Sequence, residues 1–432
     1  MISTDLRYAL RGELYKLSSQ TVARLLTVAT VLGPLLFTLL IRVGNATPGD
    51  TPLGTWVHSS GFAPPLVLLA FTASFGFPVS AALLAGDIFA AEDRHDTWKN
   101  VLTRAVDRRA VFAAKFLAAS LYAIGLLALG AVSALASGVL IVGSQPVIGL
   151  SGQLIGAAPA FGLVLAAWAL CIPPLLAFVA LGVFFSVATR NGIAGVFGPI
   201  VLALLMQLLQ RIGNAGLGHQ LLLLASFDSW PGIFTTPLQG LPLLAILVSL
   251  LWTVVPLAGA WWLFSRREFG GAGSSGGSAG WRGLTVMVSS VLAVTAVMVA
   301  LCYAGSDPIT PRKLEAELRP IFNNLTIYQQ HELGRTILAG TKLNDSSVCA
   351  RRGYAQNGQG DDWVCTIDVL TPQADTPTPN FEPVDYDVSI KVNGCFSADG
   401  PPSFIGNQTF KTPSGKRVYN PLFEIYGCFN PL

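Results

Sequence analysis

Residues 116–189 read FLAASLYAIGLLALGAVSALASGVLIVGSQPVIGLSGQLIGAAPAFGLVLAAWALCIPPLLAFVALGVFFSVAT, and these 74 positions contain no Asp, Glu, Lys or Arg. A helix that crosses a bilayer needs about 20 apolar residues, so the stretch is long enough for two spans and a turn. Residues 143–152 are rich in Gly, Ser, Gln and Pro, which is typical of a turn. The stretch therefore predicts two membrane-spanning helices.

The same pattern recurs on both sides of this stretch. Further charge-free runs occupy residues 51–86, 191–210, 229–265 and 283–306, and another lies between Arg24 and Arg42. Interior helices of soluble proteins show a polar face, so a soluble core does not explain this many apolar runs. We expect seven membrane-spanning helices, at about residues 22–43, 62–89, 111–142, 156–188, 193–213, 240–265 and 283–303.

The overall composition agrees with a membrane protein that carries one soluble domain. Hydrophobic residues make up 52% of the 432 positions, charged residues 12%, and the mean hydropathy is +0.56. These values exclude a disordered chain and a single soluble domain. Charges are unevenly distributed, with 26 in residues 1–304 and 25 in residues 305–432. The expected fold class is an all-α polytopic membrane protein, a six-helix bundle plus a seventh helix, with a small α+β domain at the C-terminus.

Five regions follow from this pattern. Leu6, Leu10, Leu14 and Leu17 recur at helical spacing among charged residues, which predicts an amphipathic helix along a membrane surface. Residues 270–280 read GGAGSSGGSAG and are typical of a linker. The expected regions are the amphipathic helix at 1–20, the six-helix domain at 21–268, the linker at 269–280, the seventh helix at 281–304 and the C-terminal domain at 305–432.

Lys and Arg set the expected orientation, because cytoplasmic loops of membrane proteins are enriched in them. Fourteen Lys or Arg residues lie on the side of the N-terminus, whereas only Arg42 and Arg211 lie on the opposite side of the membrane part. We therefore expect a multi-pass protein of the plasma membrane with a cytoplasmic N-terminus. After seven crossings the C-terminal domain would be extracytoplasmic.

Cysteine usage agrees with that orientation. Four of the six cysteines lie in the C-terminal domain, at Cys349, Cys365, Cys395 and Cys428. An even number of cysteines in a small domain outside the cytosol indicates two disulfide bonds. Three connectivities are possible, and we prefer Cys349–Cys365, which closes a short loop, with Cys395–Cys428 as the second pair.

Residues 91–115, AEDRHDTWKNVLTRAVDRRAVFAAK, lie between the second and third expected spans. Trp98, Val101, Leu102 and Ala105 follow the i, i+3, i+4, i+7 spacing of a short helix with one apolar face. Most charges of the segment lie away from that face. On charge alone, the segment is also explained as a solvated loop that marks the cytoplasmic side.

The segment resembles the first cytoplasmic loop of ABC-2 type permeases, the membrane subunits of one class of ABC exporters. That loop carries a Glu, a Gly-Thr pair, an apolar pair, a Pro-Val-Ser-Arg group and a Lys at the start of the next helix. The matching positions here are Glu92, Thr97, Val101, Leu102, Val106, Arg108 and Lys115. Asp96, Ala105 and Asp107 replace the usual Gly, Pro and Ser.

The resemblance extends over residues 1–268. Glu13-Leu-Tyr-Lys16 is similar to the start of these permeases, and six spans after a cytoplasmic N-terminus are their plan. Residues 219–240, too apolar for a free loop, resemble the short re-entrant segments that cap such permeases externally. The C-terminal domain resembles disulfide-bearing extracytoplasmic tails of actinobacterial members.

The resemblance also implies which partners this chain has and which of its residues form the functional site. Two six-helix units, here a homodimer, would enclose a central path, and a dimer of ABC ATPase subunits would bind below the membrane. Residues 91–110 would be the coupling loop, whose ATPase contacts would come from Glu92, Thr97, Lys99, Arg104 and Arg108. Glu13 and Lys16 of the N-terminal helix are further candidates for contact with the ATPase or for a contact at a subunit interface. The chain has no GxxxxGK[ST] motif, so ATP and Mg are expected on the separate ATPase and no cofactor on this chain.

Other candidate sites rest on weaker patterns. Polar groups at membrane depth usually face protein or water, so a path-lining role is one interpretation of the polar residues that end the fifth span, and emergence at the interface is the other. These residues are Gln207, Gln210, Arg211 and Asn214. The sequence shows neither a catalytic nucleophile–base constellation nor metal-ligand spacing, so we expect no enzyme activity and no metal site in this chain. Its basic residues sit at membrane edges, which does not indicate nucleic-acid binding.

Three functional hypotheses remain from the sequence. The first is the permease subunit of an ATP-driven exporter with an unknown substrate. The second is a membrane-anchored sensor or interaction protein whose C-terminal domain binds a ligand. The third is an ion-driven secondary carrier, for which paired carboxylates within the membrane are expected and the helix interiors lack them.

Overall fold

A computed structural model describes residues 4–44, 48, 51–98, 107–211, 217–239, 242–267, part of 285–300, 309–337, 343–353, 356–371 and 380–430. Six helices in this part of the chain are long and apolar enough to cross a membrane. They are Thr21–Gly44, Ala63–Arg94, Arg108–Ile141, Ala157–Thr189, Gly192–Leu209 and Pro242–Ser265. The first six expected spans are confirmed, with bounds that differ by a few residues at the helix ends.

The helices are numbered here in chain order. They are α1 (Thr4–Ser19), α2 (Thr21–Gly44), α3 (Ala63–Phe71), α4 (Phe77–Ala85), α5 (Ala90–Arg94), α6 (Arg108–Ile141), α7 (Ala157–Leu170), α8 (Ile172–Thr189), α9 (Gly192–Leu209), α10 (Leu217–Gln220), α11 (Pro242–Ser265), α12 (Pro311–Glu332) and α13 (Pro402–Ile405). Short 3₁₀ turns at Gly54–Trp56, Leu223–Ser229 and Pro231–Phe234 lie in the connections. The expected seventh helix at 281–304 is described only in part, and the described positions between 285 and 300 are helical. The linker at 269–280 lies outside the described residues.

Helix α8 is the centre of the bundle and packs against α4, α9 and α11. Close packing there depends on small residues: a Cβ on Gly195 would lie 1.9 Å from the carbonyl oxygen of Gly86, and one on Gly182 would lie 2.8 Å from the Cβ of Ala85. Small residues let helix backbones approach closely in a membrane, where lipid offers no hydrophobic drive for association. By contrast, α2 and α11 leave much of their apolar surface exposed, as expected for lipid-facing helices.

Prolines interrupt two of the crossings. Helix α8 begins directly after Cys171 with Pro173 and Pro174 in its first turn. In the second crossing, a π-helical turn at Thr72–Gly76 separates α3 from α4. Pro78 has no N–H to donate to the carbonyl of Ser74 four residues earlier, so the regular ladder breaks there.

The C-terminal domain is a five-stranded antiparallel sheet with α12 packed against it. Its strands, in the order β3-β4-β5-β6-β9, are β3 (Asn344–Arg351), β4 (Gly360–Thr371), β5 (Asn380–Ile390), β6 (Cys395–Asp399) and β9 (Glu424–Cys428). Two small ribbons complete the structure: β1 (Val147–Ile148) with β2 (Leu154–Ile155), and β7 (Thr409–Lys411) with β8 (Arg417–Tyr419). Leu314, Leu318, Phe322 and Leu325 form the buried stripe of α12. The α+β expectation is confirmed.

Both expected disulfide bonds are present. Cys349 and Cys365 are directly opposite each other on β3 and β4, and Cys395 and Cys428 are opposite on β6 and β9. Each bond therefore crosses one pair of neighbouring strands, and together they fix both edges of the sheet. Cys171 lies buried in the bundle as a free thiol.

The C-terminal domain lies against the end of the bundle that is remote from α1. The side chain of Asn324 donates to the carbonyl of Ser151 at 2.7 Å, and that of Gln220 donates to the carbonyl of Val392 at 3.0 Å. The expected re-entrant segment at 219–240 forms 3₁₀ turns buried beneath the domain, and the carbonyl of its Asp228 accepts a hydrogen bond from the Asn393 side chain at 3.1 Å. The sheet domain therefore covers the bundle end.

Removing the first disulfide tests its contribution to the sheet. The Cys349→Ala/Cys365→Ala variant should lose about 3 kcal/mol of unfolding free energy, because the bond closes a loop between residues 16 positions apart. Denaturant unfolding of the full-length protein in micelles, followed by tryptophan fluorescence, measures this loss. The matched control is Cys171→Ala, which removes a free thiol. Equal stability of the wild type and the double variant would contradict the expectation.

Candidate functional site

The amino group of Lys115 is the centre of a buried ion cluster where α1 meets the bundle. Lys115 is 0% exposed on α6. Its Nζ lies 2.9 Å from Oε1 of Glu92, 3.0 Å from Oε1 of Glu13 and 3.1 Å from the carbonyl oxygen of Ile88. An ammonium group carries three donors, and three acceptors surround this one. The contacts to Glu92 and Ile88 are hydrogen bonds, and the contact to Glu13 is an ion pair.

Glu92 is the acidic counterpart and is 2% exposed. Its Oε1 accepts from both Lys115 and Lys16, and its Oε2 accepts from the hydroxyl of Thr97. Two acidic and two basic side chains thus form a cluster with no net charge. A buried charge is tolerated when it is paired and hydrogen-bonded, which this arrangement provides.

The cluster joins three separate parts of the chain. Glu13 and Lys16 belong to α1, Glu92 to α5, and Lys115 to α6. Helix α1 also packs on α6, and Leu17 near its C-terminal end is buried. The ion pairs add to this packing and connect α1, α6 and the start of the 91–110 loop.

The turn after α5 is shaped so that Thr97 reaches Glu92. The amide of Thr97 donates to the carbonyl of Glu92 at 3.0 Å. Asp96 has a φ of 50°, in the left-handed region that Gly, Asn and Asp tolerate best. This position is the one at which the related loops carry Gly, so Asp96 preserves the turn without it.

An aromatic group covers the cluster. Trp98 is 4% exposed and packs against Phe89 and Phe264, with ring centroids 6.0 and 5.4 Å apart. The Nζ of Lys115 lies 5.8 Å from the rings of both Phe89 and Trp98, within the range of a cation–π interaction. These rings exclude water and strengthen the ion pairs beneath them. The side chain of Trp98, which belongs to the apolar face predicted from the sequence, is therefore buried in the bundle.

A second ion pair ties the loop to the last helix of the bundle. Asp93 pairs with Arg267, which follows α11, and Nη1 of Arg267 lies 3.0 Å from Oδ2 of Asp93. The indole Nε1 of Trp98 donates to Oδ1 of Asp93 at 2.9 Å. The guanidinium of Arg108 donates to the carbonyl of Arg267 at 3.1 Å. The loop is therefore anchored at both of its described ends.

The expected contact residues fall into three groups. Glu92, Thr97, Glu13 and Lys16 belong to the cluster, so Glu92 and Thr97 hold the loop from inside. Arg108 lies against the end of α11. Lys99 and Arg104 lie outside the described residues, as do Val101, Leu102 and Ala105.

Sequence reasoning missed Asp93, Arg267 and Phe264. Asp93 stands next to the matched Glu92, and Arg267 was counted only as a marker of orientation. No spacing in the sequence connects residue 93 with residue 267, because 174 positions separate them. Only the fold brings them together.

The residues that were expected to line a transport path have different surroundings in the structure. The side-chain nitrogen of Gln207 donates to the carbonyl of Ser74 at 2.6 Å, which is the acceptor that Pro78 leaves without its helical donor. Gln207 therefore serves the π turn inside the bundle. Gln210 is half-buried and Arg211 exposed, Asn214 lies outside the described residues, and a path-lining role for them stays a prediction.

The described residues include no group of three His, Cys, Asp or Glu side chains that could hold a metal ion. The contacts of the cluster are ion pairs and hydrogen bonds that connect separate segments of the chain.

Comparison with known protein families supports the resemblance drawn from the loop. Residues 9–209 match the family described as ABC-2 family transporter protein. The matched region runs from α1 to α9 and includes all four charged members of the cluster. A comparison with curated proteins finds no match.

Replacing Lys115 tests the cluster. Lys115→Met should lower the unfolding free energy by about 3 kcal/mol, because it leaves buried carboxylates with fewer partners. The Glu92→Gln/Lys115→Met double variant should recover part of that loss, since neither buried charge is then unpaired. Denaturant unfolding in micelles gives both values.

Lys16→Met is the matched control for this cluster. The Lys16 side chain is 46% exposed, so the same chemical change there should cost less than about 1 kcal/mol. A Lys115→Met variant no less stable than Lys16→Met would contradict the structural role of the buried pair.

Proposed function

Because residues 9–209 of this chain match the ABC-2 family transporter protein family, we propose that the protein is the permease subunit of an ATP-driven exporter. It works as a homodimer and receives its energy from a separate dimer of ABC ATPase subunits. The observation that carries the proposal is the buried cluster of Lys115 with Glu13 and Glu92, which fixes the 91–110 loop to the transmembrane helices.

A loop that transmits force must be rigidly attached to what it moves. Glu92 and Thr97 attach the start of the loop to α1 and α6, and Asp93 attaches it to Arg267 beyond α11. When a partner subunit displaces the loop, these ion pairs carry the displacement to three helices of the bundle. A loop that served only as a marker of orientation would need no buried ion pairs.

The proposed orientation places α1 and the loop in the cytoplasm. The excess of Lys and Arg on that side supports it. Two disulfide bonds in the C-terminal domain support an oxidising compartment for the opposite side. ATP and Mg belong to the partner ATPase in this proposal.

Affinity purification of the full-length protein in mild detergent tests the proposal. It should retain a P-loop ATPase chain, identified by mass spectrometry, and the complex should hydrolyse ATP. Reversing Lys99 and Arg104 to Glu should reduce the retained ATPase at least tenfold, because desolvated interface ion pairs contribute several kcal/mol. Arg108 is left unchanged, since it holds the end of α11.

The control is the Arg24→Glu/Arg266→Glu variant, which changes the net charge equally at the ends of the first and sixth spans. It should retain the ATPase at the wild-type level. If the wild-type protein retains no ATPase, the exporter proposal fails and the sensor hypothesis replaces it. If both double variants retain the ATPase equally, the loop is not the contact.

Cysteine labelling tests the orientation separately. A Ser414→Cys variant should react with a membrane-impermeant maleimide in intact cells, because Ser414 is an exposed residue of the C-terminal domain. A Ser19→Cys variant, at the exposed end of α1, should react only after the membrane is opened. The reverse labelling pattern would contradict the proposed orientation.

A further inference from the structure

A large cavity lies between the bundle and the C-terminal domain, at the end remote from α1. Its volume is about 1180 Å³. Its walls come from the connection around Trp56, the 142–154 segment after α6, one side of α12 and the β7–β8 hairpin. A cavity of this size is large enough for a ligand of drug size or for part of a lipid.

The charged side chains of the cavity are mostly basic. Arg42, Lys416 and Arg417 line it, whereas Glu332 is the one acidic residue among the described lining residues. The electrostatic potential of the lining therefore favours an anion.

The remaining lining is aromatic and apolar. Trp56 stands between Tyr328 and Tyr419, with edge-to-face contacts at centroid distances of 6.1 and 5.8 Å. Leu154 and Ile327 also line the cavity and remain 62% and 49% exposed. Apolar side chains exposed in a concave site favour a ligand that covers them.

One face of α12 lines the cavity. Asn324, Ile327, Tyr328 and His331 line it at i, i+3, i+4 and i+7. The packing of α12 on the sheet uses a different stripe of residues, so that packing does not account for the exposed apolar side chain of Ile327 on this face. A ligand in the cavity does account for it.

The position of Arg42 indicates the level of the cavity relative to the membrane. Arg42 lies in the last turn of α2, where the first span ends. Basic and aromatic side chains at span ends lie at the level of lipid head groups. The cavity therefore opens where an amphipathic molecule can enter it from the membrane surface.

We propose that this cavity binds an amphipathic anion, a molecule with an acidic head group and an apolar tail. The head group pairs with Arg42, Lys416 and Arg417, and the tail covers Trp56, Leu154 and Ile327. The ligand is either a lipid of the membrane or a diffusible amphiphile with the same chemistry. This inference does not depend on the exporter proposal, because binding requires no ATPase.

The test uses the full-length protein in phosphatidylcholine nanodiscs. The probes are dodecyl phosphate, dodecylphosphocholine and inorganic phosphate, and empty nanodiscs supply the background. Dodecyl phosphate should bind at least tenfold more tightly than either other probe, since only it combines a net negative head with a tail. The Lys416→Gln/Arg417→Gln variant should weaken that binding at least fivefold.

The Arg312→Gln/Lys411→Gln variant is the matched control. Both residues are exposed basic residues of the same domain that do not line the cavity, and binding should stay at the wild-type level. Ile327→Ser tests the apolar contact and should weaken dodecyl phosphate without changing inorganic phosphate. Equal binding by both double variants, or no preference for dodecyl phosphate, would overturn the proposal.

A second measurement distinguishes a membrane lipid from a diffusible amphiphile as the ligand. Native mass spectrometry of protein from nanodiscs with phosphatidylglycerol should show retained lipid that the Lys416→Gln/Arg417→Gln variant loses, if the ligand is a lipid. Dodecyl phosphate binding without retained phosphatidylglycerol supports a diffusible amphiphile. If the protein neither binds dodecyl phosphate nor retains phosphatidylglycerol, the proposed ligand site is overturned. Failure of the ATPase copurification with intact probe binding would reject only the exporter.

Discussion

The burial of the Lys115 ammonium group is the constraint on which the arrangement of this end of the bundle depends. A charged group that is 0% exposed is stable only with opposite charges and a full set of acceptors around it. Glu13 and Glu92 supply the charges, and each comes from a different part of the chain. This electrostatic requirement therefore brings α1 and the start of the 91–110 loop together at Lys115, and apolar packing of Leu17 and Trp98 adds to it.

Helix α6 connects this cluster with the opposite end of the molecule. Its 34 residues extend over about 51 Å at the usual rise per residue. It carries Lys115 near its first turns and leads at its other end to Val142 and Gln145, which line the cavity beneath the C-terminal domain. One helix therefore connects the cluster next to the proposed ATPase contact with the wall of the proposed ligand site.

The lipid environment of the membrane explains another feature of the bundle. Lipid offers no hydrogen bonds, so the carbonyl of Ser74, which Pro78 leaves without its helical donor, requires a partner within the protein. Gln207 provides it from α9. The sequence shows the proline and the glutamine but not their relation, and the same glutamine is equally consistent with a path lining when the sequence is considered alone.

The sequence by itself determined the first six spans, the separate C-terminal domain and the number of disulfide bonds, because hydropathy, charge and cysteine count are properties of local stretches. The resemblance of the loop to that of ABC-2 type permeases also singled out Glu92, Thr97 and Lys115. Only the tertiary structure decided that these residues meet Glu13 and Lys16 in one buried cluster, that Asp93 pairs with Arg267, and that a basic and aromatic cavity forms above the bundle. These contacts join residues far apart in the chain, and their existence depends on helix packing and on the cost of burying charge, which no local pattern records.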